Sequence, residues 1–515
     1  MSDPVFDIAI DRATSPIYRQ ILEQLQALVT GGTLAAGARL PNQRELAQRL
    51  NVNVATVNRA YREAVRRRLL VSTPRRGTHV APQAGFLVGW NGLQGERADL
   101  IDMENNAAPI DLPMRSMSEV FTEISRQDDL RHIYGYSSIY GRSEHRKAMA
   151  SWLNRHGVSA DANHLVLTSG ANHAIYLVLA VLSRPNDVIV ADELSFPCLD
   201  ELSRVLNLRL FPLRRTAGRV DLEEAARLFA EMRPRFLFVM PEFASPTTEY
   251  LDETERQELT KLCRKADCFV IEDSVHMGLV ERKGQPLQSY LPQSTFLVTS
   301  FSKIVAPGFC LGTVLCPDRE YTDRIARRLG ITNRMASPIM GEIAARMIES
   351  NEMSRVLGFV RSEYRIRNRI AAETLEGCRV LADSYGTHFW VELPMEANAT
   401  QLVEALHRRG VSVLPDRVFA TTAQRTRSGF RATLGALPLE RPHDPGGRVL
   451  VLSAPPDDEV LAVGAWLACQ TARPIEFVTA TDGEASHPQS SAVTPDELRD
   501  QRPLELLEAL GRLGF

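Results

Sequence analysis

Apolar residues recur at helical spacing near the amino terminus and predict three short helices. The first contains Ile17, Ile21, Leu25 and Leu28 and is expected to end at Gly31-Gly32. Pro41 opens a second helix over 42–50, and Asn53 is a good N-cap for a third. The apolar positions of that third helix are Val57, Ala60, Tyr61 and Ala64.

The short turn between the second and third helices is more informative about the fold than either helix alone. They are joined by the turn Asn51–Asn53, and the second bears arginine, which is the helix-turn-helix pattern. Residues 75–80 then fit a two-stranded wing with a glycine at its tip. The sequence therefore predicts a winged helix-turn-helix domain over 10–81.

The pattern changes after residues 82–105, which contain glycine, show no strong period and are predicted to be a linker. From 106 to 437, helical patterns alternate with short apolar strands, which favours a largely parallel α/β sheet. In such sheets, functional groups lie at strand ends and in loops. The predicted strands are Leu165–Thr168, Val188–Ala191, Leu208–Pro212, Phe236–Met240, Cys268–Glu272, Thr295–Thr299 and Thr313–Cys316.

The last part of the chain begins with a Pro/Gly-containing linker, 438–448. An apolar strand over Val449–Ser453, a helix over 460–469 and a strand over 475–480 are expected next. This order predicts a short Rossmann-like α/β fragment over 449–515.

Length and composition agree with a multidomain protein. The chain has 515 residues, of which 44% are hydrophobic and 24% charged, as in globular proteins of two or three domains. We expect no membrane span and no signal peptide, because no apolar run is long enough and no basic amino-terminal region precedes one. The seven cysteines form no CxxC pair, which predicts a cytoplasmic protein without disulfides or a zinc knuckle.

Charge is unevenly distributed along the chain. Residues 1–80 contain twelve arginines, no lysine and six acidic residues, although the whole chain has a net charge of −3. A basic segment on an acidic body indicates a polyanionic partner, double-stranded DNA, for that segment.

The candidate chemistry centres on Lys303, in the run Ser300-Phe301-Ser302-Lys303 that follows a predicted strand. A desolvated lysine amine condenses with an aldehyde, and Ser300 and Ser302 can hold an anionic phosphate. This is the chemistry of a pyridoxal 5'-phosphate (PLP) Schiff base. The alternative is a surface lysine in a turn.

Two further strand ends fit the same cofactor. Gly170, Ala171 and Asn172 lie between a strand and a helix, where backbone amides suit a phosphate; a turn that needs glycine only for its geometry is the alternative. Asp273 ends a buried strand, and a carboxylate there can keep a pyridine nitrogen protonated.

Two family resemblances follow from these motifs. The run SFSK-x-x-x-PG resembles the lysine segment of fold-type I aminotransferases, and residues 39–80 follow the pattern of the GntR family. Together they resemble the MocR regulators, over residues 10–437. This resemblance implies a homodimer that binds PLP, a small amine or amino acid effector, and DNA.

The resemblance also implies roles for individual residues. Phe196 would stack on the pyridine, with core packing as the alternative, and Arg431 would pair with the substrate α-carboxylate by a bidentate fork. The implied DNA contacts are Arg44, Asn53, Thr56, Asn58, Arg75, Arg76 and Gly77. Asn58 stands where relatives often carry arginine, so it is a candidate reader of adenine.

Three positions depart from the aminotransferase pattern. Ser245 replaces the asparagine that reaches the cofactor's phenolic oxygen. The tyrosine that usually follows the pyridine aspartate has no counterpart, and Val275 and His276 occupy that neighbourhood. Cys310 replaces an arginine that binds the phosphate. We therefore expect cofactor binding but inefficient transamination.

The tail run Pro455-Pro456-Asp457-Asp458-Glu459 resembles the start of PIG-L/LmbE zinc deacetylases. By position, Asp458 would be a zinc ligand and Asp457 the general base. Pro455 replaces the metal histidine, and proline cannot coordinate zinc. We therefore expect an inert fragment with no metal.

Three hypotheses for function result. The first is a PLP-binding transcriptional regulator that senses a small amine or amino acid. The second is an aminotransferase or related PLP enzyme with an ancestral DNA-binding head. The third is a bifunctional biosynthetic protein that uses its tail to dock a partner.

Overall fold

The computed structural model describes most of residues 8–436 and two short segments of the tail. The described ranges are 8–11, 16–30, 34, 38–66, 69–73, 77–80, 101–109, 111–128, 130–375, 378–395, 397–422, 427–436, 449–453 and 475–479. Within these ranges, no helix is long and apolar enough to cross a membrane.

The amino-terminal domain, which we call the head, is a winged helix-turn-helix, as predicted. Its elements are α1 (Ile17–Thr30), α2 (Gln43–Arg49), α3 (Val54–Arg66) and the antiparallel hairpin of β1 (Leu70–Thr73) and β2 (Gly77–Val80). The side chain of Asn42 caps α2 by accepting from the amides of Arg44 and Glu45. A core separate from the rest of the protein contains Ile21, Leu25, Leu46, Val57 and Ala60, all fully buried.

The following domain, which we call the body, is built on a seven-stranded sheet. The strands are β4 (Leu165–Thr168), β5 (Val188–Asp192), β6 (Arg209–Leu213), β9 (Phe236–Val239), β10 (Phe269–Asp273), β11 (Thr295–Ser300) and β12 (Gly312–Leu315). Their order is β4-β12-β11-β10-β9-β5-β6, and only β12 runs antiparallel to its neighbours. The strands are buried throughout except at the edge strand β6, which explains their continuous apolar runs.

Helices cover the two faces of this sheet. They are α4 (Asp111–Ser125), α5 (Arg131–Tyr134), α6 (Ser143–Arg155), α7 (Ala171–Leu182), α8 (Pro197–Val205), α9 (Leu222–Met232), α10 (Glu253–Ala266), α11 (Leu287–Tyr290), α12 (Arg319–Thr332), α13 (Pro338–Glu349) and α14 (Glu352–Thr374). A small hairpin of β7 (Arg215–Thr216) and β8 (Arg219–Val220) precedes α9. The sheet and these helices form a doubly covered α/β layer structure.

A second sheet of the body packs beside the first. It has the order β13-β14-β17-β16, formed by β13 (Arg379–Leu381), β14 (His388–Leu393), β16 (Leu414–Pro415) and β17 (Ser428–Thr433). The helix α15 (Ala399–Arg408) contacts it. Residues on one face of β14 and β17, including Phe389, Val391 and Ala432, belong to the body's largest apolar core.

The body begins earlier than the sequence suggests. β3 (Ile101–Asp102), which falls inside the predicted linker 82–105, pairs in parallel with β15 (Val411–Ser412). The last five residues of the predicted linker, 101–105, therefore belong to the body, because their backbone is hydrogen-bonded to it.

Two strands of the tail are described. β18 (Val449–Ser453) and β19 (Ile475–Thr479) pair in parallel over five residues each. The predicted helix over 460–469 and the acidic run Asp457–Glu459 lie outside the described residues.

Candidate functional site

Lys303 lies just beyond the carboxyl end of β11 and points toward the start of the body. Its Nζ donates to the backbone oxygen of Asn106 at 2.6 Å, across 197 residues of sequence. Removal of the ammonium from water lowers the pKa of Lys303 to about 8; the nearby Arg431 acts in the same direction and Asp273 opposes it. The fraction of this amine that is neutral, and nucleophilic, near neutral pH is therefore larger than for an ordinary lysine.

Asp273 ends β10, the parallel neighbour of β11. Its side chain is buried, and its Oδ1 accepts from the amide of Val275 at 3.3 Å. Burial raises the pKa of Asp273 to about 7, while the amide and the positive charge of Lys303 oppose the rise. A cationic group beside this carboxylate would lower its pKa and satisfy its charge.

A cradle for an anion forms where β4 meets α7. Gly170 is the N-cap of α7 with φ of 85°, and a Cβ added to it would meet nothing within 4 Å. Behind it, a Cβ on Gly312 would lie 2.6 Å from the carbonyl carbon of Gly170, so the two backbones are in contact. The Ser300 hydroxyl donates to Ser302 Oγ at 3.3 Å.

Asn172, in the first turn of α7, does not contribute its side chain to this cradle. Its Nδ2 instead donates to Cys198 Sγ at 3.5 Å. Ser169, the first residue of this predicted turn, is held by Asn333, whose Nδ2 donates to its hydroxyl at 2.6 Å. The cradle thus includes a hydroxyl that a neighbouring segment holds in place.

Arg431 projects from β17 and is 6% exposed. Its Nη1 donates to Ser245 Oγ at 3.2 Å and its Nη2 to the backbone oxygen of Glu104 at 2.7 Å. The guanidinium carbon lies 4.9 Å from the centre of the Phe419 ring. Its Nε is buried without a hydrogen-bond acceptor among the described residues. Burial lowers the pKa of Arg431 to about 10, although Glu104 and Asp102 act in the opposite direction.

Two buried histidines complete the cluster. Thr387 Oγ1 lies 3.3 Å from His276 Nε2 and 3.1 Å from His388 Nδ1, and Asn106 Nδ2 lies 3.3 Å from the same His388 nitrogen. Burial lowers the pKa of His276 to about 3 and that of His388 well below its ordinary value, so both rings are neutral. His276 Nδ1, His388 Nε2 and Asn106 Oδ1 are buried polar atoms without a partner in the described part of the chain.

Two predicted positions lie at the edge of the cluster. Phe196 is the N-cap of α8 and is half-buried against the sheet's core. Cys310 is exposed with φ of 43°, and its thiol donates to the backbone oxygen of Pro307. A thiol has no positive charge, so this position offers little to an anion.

The head presents a second candidate surface. Arg44, Asn53 and Asn58 are exposed on α2, at the start of α3 and on α3, and Thr56 is half-buried. Asn53 caps α3, because its Oδ1 accepts from the amide of Ala55 at 2.8 Å. Asn53 and Thr56 thus lie at the start of α3, the recognition helix, whose first residues contact DNA bases in proteins of this kind.

A cleft of about 470 Å³ separates α3 from the wing. It is lined by Gln43, Asn58, Tyr61, Arg62, Val65, Ser72 and Thr78. Gly77 begins β2 with φ of 91°, and the Arg39 side chain lies 3.5 Å from where its Cβ would be. Arg75 and Arg76, the other predicted wing contacts, lie outside the described residues.

The body matches the model of the family "Aminotransferase class I and II" over residues 98–440. The chain belongs to the aminotransferase class I and II family. The head matches "Bacterial regulatory proteins, gntR family" over residues 17–80. The aminotransferase match begins at residue 98, which agrees with a body that includes β3.

Curated relatives match this chain over most of its length. The chain is 27% identical over 406 residues to the uncharacterized HTH-type transcriptional regulator YdeF of Bacillus subtilis, covering 79% of this chain and 87% of that protein. It is 21% identical over 458 residues to the uncharacterized HTH-type transcriptional regulator YjiR of Escherichia coli, covering 82% and 95%.

Solved aminotransferases share the fold of the body. An archaeal alanine:glyoxylate aminotransferase superposes with a TM-score of 0.63 at 18% identity, covering 68% of this chain and 89% of that one. The α-aminoadipate aminotransferase LysN of Thermus thermophilus superposes with a TM-score of 0.60 at 19% identity, covering 68% and 92%.

The sequence did not reveal four residues of the candidate site. Glu104 and Asn106 lay within or next to the predicted linker, and Thr387 and His388 lie at the start of a strand in the second sheet. No motif marked them. The only available signal was that Thr387-His388 puts two polar residues immediately before the apolar run of β14.

The contact between Gly312 and Gly170 yields a prediction. Replacing Gly312 by alanine should weaken PLP binding and destabilise the body by about 1–3 kcal/mol, because the new Cβ must displace the Gly170 backbone. Equilibrium PLP titration and urea unfolding measure both effects.

Gly358 supplies the control. It lies inside α14, and a Cβ there would meet nothing within 4 Å. Gly358→Ala should therefore preserve PLP affinity and stabilise the helix by up to about 1 kcal/mol. Unchanged PLP affinity in Gly312→Ala would show that the cradle does not hold the cofactor.

Proposed function

We propose that this protein is a PLP-binding transcriptional regulator of MocR type, which binds double-stranded DNA through its head and senses a small amine or amino acid through its body. The observation that carries the proposal is the presence in one chain of a winged helix with a capped recognition helix and a body that gathers Lys303, Asp273 and Arg431. Relatives that match most of the chain are named HTH-type transcriptional regulators, which supports the same conclusion.

The residues of the body fit PLP. The family is PLP-dependent, and the amides at Gly170 and Ala171 with Ser300 and Ser302 would hold its phosphate. Asp273, a buried carboxyl group without a cationic partner in hydrogen-bond distance among the described residues, would hold its pyridine nitrogen. Lys303 would provide the amine. When bound, PLP supplies an aldehyde that reacts with amines and a ring that accepts electrons.

The surrounding residues define what a ligand would encounter. The buried Nε of Arg431 lacks an acceptor, and a ligand carboxylate would supply one in a charge-assisted hydrogen bond. His276 places a neutral ring in the neighbourhood where the resemblance leads one to expect a tyrosine, and Ser245 is already engaged by Arg431. These features support ligand recognition more than rapid turnover.

The DNA-binding part of the proposal is tested with the gene's own upstream region in a fluorescence anisotropy titration. Arg44→Ala should weaken binding to specific and unrelated duplexes alike and lower the slope of log K against log salt by about one unit, because an exposed arginine at this helix would contact phosphate. Asn58→Ala should relax selectivity at one base pair, at a cost of about 1–3 kcal/mol.

Glu23→Ala, on α1, serves as the control for both variants and should leave DNA affinity within a factor of about two. If neither Arg44→Ala nor Asn58→Ala changes affinity, the head does not bind DNA in the proposed mode.

The pKa of Lys303 predicts how PLP capture depends on pH. The neutral amine is the nucleophile, so the capture rate should rise about tenfold per pH unit and level off above about pH 8, rather than near the ordinary lysine value of 10.5. Stopped-flow absorbance of the apoprotein, divided by the rate of free lysine at each pH, isolates the Lys303 contribution. The ratio should be constant below about pH 8 and fall above it, because the protein rate levels off while the rate of free lysine still rises. A ratio that stays constant through pH 8 would refute the assignment.

A PLP-dependent enzyme with an ancestral head remains the second candidate. It is favoured by the retention of the buried Asp273 and Arg431 together with the half-buried Lys303. Single-turnover assays with amino acids distinguish the two, since an enzyme must release a keto acid whereas a sensor needs only reversible binding.

We also propose that the protein is a homodimer. The exposed side chains near the anion cradle are unusually apolar: Tyr134 is 73% exposed, Tyr136 85% and Ile331 80%. A surface of this kind favours a protein partner. Arg334 lies over the Tyr136 ring at 5.0 Å and joins the two segments into one patch.

For the tail, we propose an inert fragment of the PIG-L/LmbE type. Its support is chemical: Pro455 occupies the metal histidine's position, and a catalytic zinc site needs three protein ligands.

A further inference from the structure

Five consecutive backbone oxygens, those of residues 103–107, are all held by donors of the body. We call this segment the strap. The donors to Met103, Glu104, Asn105, Asn106 and Ala107 are respectively Thr433 N, Arg431 Nη2, Thr433 Oγ1, Lys303 Nζ and Tyr364 Oη, at 2.8, 2.7, 2.9, 2.6 and 2.8 Å. Each of these carbonyl groups therefore has a donor although the segment is neither helix nor strand.

Two of these five donors are the cations of the candidate site. Lys303 gives a hydrogen to Asn106 and Arg431 gives one to Glu104, so the strap engages both ends of the site at once. The other donors, Thr433 and Tyr364, lie outside the group proposed to contact PLP or ligand.

The arrangement around Arg431 shows what would compete with the strap. Nε and Nη2 form one edge of the guanidinium, to which a carboxylate binds bidentately. Nε lacks an acceptor and Nη2 holds the Glu104 carbonyl. A carboxylate on this edge therefore competes with a neutral carbonyl for Nη2, and its charge makes its hydrogen bonds roughly twice as strong.

The strap also adjoins the connection to the head. Residues 101 and 102, immediately before it, form β3, which is held to the body by pairing with β15. Residues 81–100 alone separate β3 from the end of the wing.

We propose that the strap is an intramolecular competitor for the ligand site, which PLP releases from Lys303 and a ligand carboxylate releases from Arg431, and whose release is passed through β3 to the head. The proposal rests on the proposed function, since it requires PLP at Lys303. It also narrows the ligand class, because an amine without a carboxylate would leave the Glu104 contact in place.

The proposal predicts that a looser strap improves cofactor binding. The apparent affinity for PLP equals the intrinsic affinity multiplied by the fraction of molecules in which the strap does not block the site. Tyr364→Phe removes the donor to Ala107, and Thr433→Val removes the side-chain donor to Asn105. Each variant should bind PLP about threefold to tenfold more tightly, the effect of one net hydrogen bond.

Matched controls are available in the same domain. Tyr250→Phe removes a hydroxyl that donates to Asp383, and Thr313→Val removes one that donates to Val166. Both leave the strap intact and should leave PLP affinity unchanged. Fluorescence titration of the full-length apoprotein measures all five proteins.

Hydrogen–deuterium exchange provides a second readout. In the wild type, PLP should accelerate exchange in peptides covering 101–109, whereas Tyr364→Phe and Thr433→Val should show faster exchange before PLP is added. The DNA affinity of the two variants without PLP should shift in the direction that PLP shifts the wild type.

The outcomes separate the two proposals. Equal PLP affinity in wild type, strap variants and controls would overturn the strap while leaving the proposed function standing. Absence of PLP binding in every protein would overturn the proposed function and the strap with it. Tighter PLP binding without a shift in DNA affinity would overturn the transmission through β3.

Discussion

Replacing Lys303 by alanine is expected to abolish covalent cofactor attachment. The wild-type protein incubated with PLP should acquire a visible absorbance band that borohydride fixes to the chain, and Lys303→Ala should show neither. The physical reason is that the Lys303 amine lies next to Asp273 and has a pKa of about 8, which leaves it reactive near neutral pH. Absorbance and the intact mass after reduction measure the result.

Lys283 provides the control, because it is exposed and its Nζ lies over the Tyr250 ring instead of in the cluster. Lys283→Ala should retain the band in full. DNA binding by Lys303→Ala should remain measurable, since the head has its own apolar core. A reducible band in Lys303→Ala would refute the assignment of the cofactor lysine.

Arg256→Ala is expected to destabilise the body by about 3–5 kcal/mol, the cost of leaving buried charge unpaired. Arg256 is fully buried and donates to Glu242 Oε1 at 2.9 Å and to three backbone oxygens. Glu272, next to Asp273 in β10, is also fully buried, and burial together with Glu242 raises its pKa to about 7. Without Arg256, two buried carboxyl groups lose their nearest cation.

The sign of the pH dependence follows from Glu272. Arg256 lowers the pKa of this buried carboxyl group, so removing Arg256 raises that pKa in the folded state further above its unfolded value. Stability is then lost as pH rises toward the folded value, so the loss in Arg256→Ala should be larger at about pH 8 than at about pH 5. Urea unfolding at both pH values measures it.

Arg369→Ala is the control for this experiment. Arg369 is 70% exposed and pairs with Glu373 at 3.9 Å, so its removal should cost less than about 1 kcal/mol at either pH. A loss below about 1 kcal/mol in Arg256→Ala would mean that the buried network contributes little to stability. Because Glu272 precedes Asp273, a large loss should also reduce PLP affinity.

Most of the elements were predictable because their signals are local. The apolar spacing in α1 and α3, the caps at Asn42 and Asn53, and the short apolar runs of the sheet depend on residues within a few positions of each other. The ends of β10 and β11 followed directly, and with them Asp273 and Lys303. Parallel neighbours then bring these two residues to the same edge of the sheet.

The sequence by itself therefore determined the winged helix, the order of strands and helices, and the residues that end the central strands. Only the tertiary structure decided what surrounds them. Asn106 meets Lys303 across 197 residues, and Glu104 meets Arg431 across 327. Such contacts depend on sheet register and on how the second sheet packs against the first, which leave no periodic signal in the chain. The strap and the pairing of His276 with His388 emerged for that reason from the fold, and of these residues the sequence had indicated only His276.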